Sequence, residues 1–98
     1  MTKYLDVDPR TLLLPTPRQS GADPWKLQQQ IARFGSSTAG MDPPWVEEDP
    51  DGRLRLLQGT TRAVRVAKLL PGTTIRVVVV DARKRPFTTR KTVADVLN

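Results

Sequence analysis

The sequence predicts an α/β (α+β) fold, a small mixed sheet with two main helices. Three observations predict it. Arg53–Leu57, the pattern from Thr60 to Leu70, and Thr74–Val80 read in order as strand, helix and strand. Trp45–Leu57 reads as a hairpin about a strong turn. Asp23–Phe34 reads as an amphipathic helix. A chain of 98 residues and 11.0 kDa has room for one domain, 1–98, with a core at 6–81 and a basic tail at 82–98.

Tyr4–Val7 reads as a short strand or an unstructured start. Thr11–Leu14 is apolar enough for a short strand, closed by Pro15 and Pro17, which hold Thr16–Gln19 extended or turning. Asp23 can cap free N–H groups and Pro24 suits the first helical position. Leu27, Ile31 and Phe34 then recur at the helical period, with Trp25 flanking them, and Gly35 is placed for a left-handed cap. Ser36–Pro44 is loop. Within it, Asp42-Pro43-Pro44-Trp45 matches a tetrapeptide of amino-methyltransferases, but the chain is too short for their sheet. Its expected role is a rigid bend before the strand at Trp45.

Asp49-Pro50-Asp51-Gly52 has Pro at the second and Gly at the fourth position of a type I turn. Arg53–Leu57 alternates basic and apolar residues, as a half-buried strand does. Gly59 ends it, and Ala63, Val66, Ala67 and Leu70 mark the buried face of the next helix. Arg62, Arg65 and Lys68 follow one another on a neighbouring stripe. Pro71-Gly72 stops the helix. Val77–Val80 is apolar on both faces, as in a strand covered on both sides, so 53–80 reads as a strand–helix–strand crossover. Thr92–Leu97 suits one last helical turn.

Composition excludes much chemistry. There is no cysteine, hence no disulfide, thiol catalysis or thiolate metal site, and no histidine, the commonest general base. No run of 18 apolar residues and no apolar leader core is visible, so the expected location is cytoplasmic, with no membrane partner. Charge is uneven. Residues 1–52 carry five Lys/Arg and eight Asp/Glu, a balance of −3, while residues 53–98 carry eleven and two, a balance of +9. That asymmetry points to an anion-binding face in the second half.

The sharpest candidate lies there. Leu56-Leu57-Gln58-Gly59-Thr60-Thr61-Arg62 passes from a strand through a glycine into a helix. A helix N-terminus offers free N–H groups and about half a positive charge. Gly59 permits close backbone approach, Thr60 and Thr61 add hydroxyls, and Arg62 can fork onto two phosphate oxygens. Asp42, Glu47, Glu48, Asp49 and Asp51 form an acidic run that is a weak candidate for Mg²⁺, since Glu47 and Glu48 fall on opposite strand faces.

Taken in order, Pro17-Arg18, the helix ending in Gly35, Pro44-Trp45-Val46 and Gly59-Thr60-Thr61-Arg62 resemble the N-terminal domain shared by ParB partition proteins and sulfiredoxin, over roughly residues 6–81. The resemblance implies that Gly59, Thr60, Thr61 and Arg62 hold the phosphates of a nucleotide. Sulfiredoxin needs a cysteine where Thr60 stands, so that activity is excluded. ParB proteins favour an arginine where Thr61 stands, and their helix-turn-helix has no counterpart in the 98 residues. The expected function is a phosphate-binding module for a nucleotide or nucleic-acid backbone, with Arg18, Arg65 and Lys68 as supporting cations. One alternative is a small nuclease or nucleotide hydrolase, a toxin or effector domain, which would need Mg²⁺ as cofactor. The other is a protein-interaction module that has kept the fold and lost the ligand.

Overall fold

The computed structural model describes residues 3–97. It is a small mixed α+β domain. β1 (Lys3–Val7), α1 (Pro24–Phe34), β2 (Trp45–Glu48), β3 (Leu54–Gln58), α2 (Thr60–Leu69) and β4 (Ile75–Ala82) follow in chain order. The four strands form one sheet in the order β1-β4-β2-β3. β1 runs antiparallel to β4 and β3 antiparallel to β2, while β2 and β4 are parallel.

The parallel pair differs from expectation. The 53–80 unit is a strand, a helix and a strand, but β3 and β4 are not neighbours. The Asp49–Gly52 turn folds β3 back along β2, with the Gly52 N–H donating to the Asp49 carbonyl at 3.0 Å. β2 therefore lies between them and supplies the parallel partner of β4.

β4 is an inner strand, and Ile75, Val77, Val78 and Val79 are buried. Val80, also expected to be covered, is 43% exposed. The register explains it: Val46 faces Val79 and Glu47 faces Asp81, so Val80 is an extra residue without a partner in β2. A bulge of this kind turns its side chain out of the ladder.

Thr11–Leu14 is only partly strand-like. Asp8 accepts from the Arg10 N–H and Pro9 enters a short 3-10 turn at Pro9–Thr11. Extended backbone follows, in which Leu13 alone bridges to Arg55 of β3 and to Thr92. Leu12, Leu13 and Leu14 are all buried.

α1 starts as the sequence predicts. Asp23 Oδ1 accepts from the Trp25 N–H at 2.9 Å, and Pro24 opens the helix. Gly35 ends it with φ +56°, ψ −127°, a positive φ outside the left-handed helical well. No residue of α1 is fully buried, and Phe34 is 41% exposed. α2 is the opposite case. Ala63, Val64, Arg65, Val66 and Ala67 are all buried, because α2 packs on the sheet side, on α1, and on the 3-10 turns at Pro9–Thr11 and Val93–Val96. The core joins Leu12, Leu14, Val46, Leu56, Ala63, Val66, Val77, Val79 and Val93.

The basic tail packs back on the sheet. Phe87 is 6% exposed, lies 4.3 Å below the Arg55 guanidinium, and is held by Arg53 Nη2 on its carbonyl at 2.9 Å and by Asp49 Oδ2 on its N–H at 3.1 Å. Among the described residues, no helix is long and apolar enough to cross a membrane.

Candidate phosphate site

The turn from β3 into α2 is organised by Gly59. Its φ of +92° lies where side chains are disfavoured. A Cβ there would also come within 2.8 Å of both Arg62 Nη2 and Pro44 Cβ. Pro44 is fixed in turn, since its carbonyl accepts from the Val78 N–H at 2.9 Å. The Pro-Pro bend thus seats the turn against β4.

The first bond of α2 runs from the Ala63 N–H to the Gly59 carbonyl at 3.0 Å. No side chain caps the helix. The N–H groups of Thr60, Thr61 and Arg62 therefore have no intrahelical partner. The turn lines a surface cavity of about 610 Å³ between itself and α1. Gly59, Thr60, Thr61 and Arg62 all line it, so the four residues singled out in the sequence share one cavity.

The supporting cations fall differently. Arg65 is corrected: it is 1% exposed and faces away from solvent. Its Nη1 donates to the Gly35 and Ser37 carbonyls, each at 2.8 Å, and its Nη2 points at Met41 Sδ at 3.4 Å. The stripe spacing of Arg62, Arg65 and Lys68 is real, but α1 and its following loop cover the middle member. Burial alone lowers the Arg65 pKa from its ordinary value. Lys68 is exposed in the last turn of α2, where a cation suits the negative end of the helix dipole, and it does not line the cavity. Arg18 has its backbone in the 3-10 turn Thr16–Arg18, and its side chain lies outside the described residues.

Other cations line the cavity. Lys26 and Arg33 of α1 line the cavity, two turns apart on one face. Their i, i+7 spacing was a usable signal, masked by the negative balance of the first half. Trp25, 66% exposed, forms part of the same wall. Asp23, the cavity's carboxylate, is engaged as the α1 cap.

Comparison with protein-family models, curated proteins and solved structures found no match.

The acidic run is dispersed into ion pairs. Glu47 binds Arg55 at 3.2 Å and Arg83 at 3.1 Å, and Glu48 binds Lys3 at 2.9 Å. Asp49 is buried and binds Arg53 at 2.9 Å. Burial pushes the Asp49 carboxyl up. Hydrogen bonds from the Phe87 and Arg53 N–H groups and the Arg53 side chain outweigh that and hold it below its ordinary value. Among the described residues, no three Asp or Glu side chains converge as a metal site.

Proposed function

We propose that this domain is a phosphate-binding module whose site is the Gly59–Arg62 turn. The carrying observation is the uncapped start of α2: three N–H groups without intrahelical partners, in residues that line a cavity together with Lys26 and Arg33. Donors, dipole and cations favour an anion at one point. The order of motifs supports the same reading, since the ParB/sulfiredoxin-like resemblance implies nucleotide phosphates at this turn. The exposed indole of Trp25 offers an aromatic face to a base, and stacking of that kind is tolerant of base identity. The ligand class is therefore a nucleotide or a nucleic-acid backbone.

Binding, and not turnover, is the reading favoured here. The cavity's carboxylate caps α1, and Glu47, Glu48 and Asp49 are committed to ion pairs away from the turn. A thermal-shift screen of nucleoside mono-, di- and triphosphates, with and without Mg²⁺, tests the proposal. A ligand bound only by the native state raises the midpoint, by about 2.7 kcal/mol of stability at a hundred times its Kd. No shift with any phosphate compound would refute it and would favour a protein-interaction module. Metal-dependent consumption of the ligand would favour the hydrolase.

A further inference from the structure

The sheet has two faces, and α2 packs on one of them. Val46, Leu56, Val77 and Val79 join Ala63 and Val66 of α2 in the core on that side. Side chains alternate along a strand and match across paired strands, so Tyr4, Trp45 and Val78 lie on the opposite face. The register sets them in one row: Tyr4 of β1 and Trp45 of β2 both pair with Val78 of β4. Val78 is buried and forms the floor of the row, while Tyr4 is 60% and Trp45 48% exposed. They are the chain's one tyrosine and one of its two tryptophans. One strand stands between them, which puts their backbones about 10 Å apart. Val80, turned out by the bulge, extends the apolar strip toward the tail.

Cations flank the row on both sides. Arg76, two residues before Val78 and on the same face, is exposed, and its pair with Asp6 at 3.4 Å is a surface contact that water weakens. Beyond Val80, Arg83 reaches Glu47 on this face at 3.1 Å. Residues 82–91 carry Arg83, Lys84, Arg85, Arg90 and Lys91, all exposed, and no Asp or Glu. Among the described residues, Lys84 and Arg85 belong to no ion pair. Two exposed rings between two sets of cations match an unpaired nucleic-acid strand. Every base has a π face that stacks on Tyr or Trp whatever its identity, and the phosphates complement the flanking charge. A duplex keeps those faces stacked inside. A second copy of the chain matches less well, because each copy carries +6.

We propose that this open face of the sheet is a platform for single-stranded nucleic acid, separate from the Gly59–Arg62 turn. One base stacks on Trp45 and another on Tyr4. Their phosphates meet Arg76 on one flank and Arg83, Lys84 and Arg85 on the other. This site does not rest on the turn: its rings and cations belong to β1, β2, β4 and the tail, and none of them lines the cavity beside α1.

Fluorescence anisotropy with labelled oligonucleotides of about eight nucleotides, one DNA and one RNA, tests the proposal on the full chain. Tyr4→Leu and Trp45→Leu keep apolar bulk and remove the ring. Each should weaken binding about tenfold, the effect of one lost base stack, and Tyr4→Phe should bind as wild type does. Lys84→Ala with Arg85→Ala should flatten the plot of log affinity against log salt by about 1.4, for two phosphates of a single strand. Arg62→Ala should leave oligonucleotide affinity unchanged, which separates this face from the turn. A duplex of the same length should bind more weakly. A preference between the DNA and RNA arms names the source of the strand. If Trp45→Leu fails to fold, Tyr4→Leu and Tyr4→Phe decide, since Tyr4 is exposed on an edge strand. No binding of either oligonucleotide, a duplex bound as tightly as a single strand, or affinity lost in Arg62→Ala and unmoved by Tyr4→Leu would overturn the platform. A dimer that Tyr4→Leu dissolves, with no oligonucleotide bound, would overturn it in favour of a second copy on this face.

Discussion

Arg65 and Asp49 do the same work with opposite charge: each is a buried ion that ties a distant loop to a regular element. Arg65 holds the carbonyls of Gly35 and Ser37 and so fixes the loop that follows α1. A shorter lysine, with one nitrogen, cannot make these two bonds and also the Nη2 contact to Met41 Sδ. Arg65→Lys should destabilise by about 1.5–3 kcal/mol, the scale of a lost charged hydrogen bond, read from the urea midpoint. Asp49 holds Arg53 and the Phe87 N–H. Its folded carboxyl titrates below the ordinary value of 3.8. Its stabilisation is therefore complete above that value and is lost as the pH falls through the depressed one. Urea midpoints between pH 6 and pH 2 should fall more steeply for wild type than for Asp49→Asn. Parallel profiles would mean that Asp49 does not couple to folding. Neither role was legible from spacing. A stripe at i, i+3 says which residues share a helix face, while only the packing partner decides whether that face is wet.

At the scale of elements, local chemistry was most legible where it is self-contained. Asp23-Pro24 open α1 as their capping chemistry dictates, and Gly35 ends it with a positive φ, though not in the expected left-handed helical well. Asp23→Ala should cost about 1 kcal/mol in a denaturation experiment. An unchanged midpoint would place the cap elsewhere. Gly59, too, was readable as a strand-to-helix hinge, and its φ of +92° and closeness to Pro44 make it more than a hinge. Gly59→Ala should destabilise by about 1–3 kcal/mol and disorder the turn, visible as amide shifts confined to residues near Thr60 and Pro44. What escaped the sequence were long-range relations. The bulge at Val80 depends on how β2 registers with β4, and the placement of β2 between β3 and β4 depends on the hairpin folding back. The anchoring of the tail depends on one Phe87 meeting Arg55 more than thirty residues away. Gly59, Thr60, Thr61 and Arg62 could be grouped from the sequence because a helix N-terminus is a local object, and they line one cavity. Lys26 and Arg33 were missed because they reach the cavity only through tertiary packing.

Over the whole molecule, the positive half of the sequence does not become one positive face. Trp45 at the start of β2 pairs with Gln58, next to the Gly59 turn. Glu48 at its other end accepts from the Arg83 N–H at 2.7 Å, where the tail leaves the sheet. The cations of the turn and those of Arg83–Lys91 therefore belong to opposite ends of β2. Lys84→Ala with Arg85→Ala should leave nucleotide affinity unchanged, whereas Lys26→Ala with Arg33→Ala should reduce it. Nucleic-acid binding, if it uses backbone phosphates, should weaken steeply with added salt through counterion release. The most direct measurement of the central claim is a paired one on Arg62→Ala: the Kd for a nucleoside triphosphate and the denaturation midpoint. Arg62 offers a guanidinium to the cavity and makes no ion pair among the described residues. The account predicts an affinity at least about tenfold weaker, the loss of one charge-assisted bond, with the midpoint almost unmoved. A lowered midpoint with affinity intact, or no affinity in either protein, would contradict it and make the Gly59–Arg62 turn a structural joint.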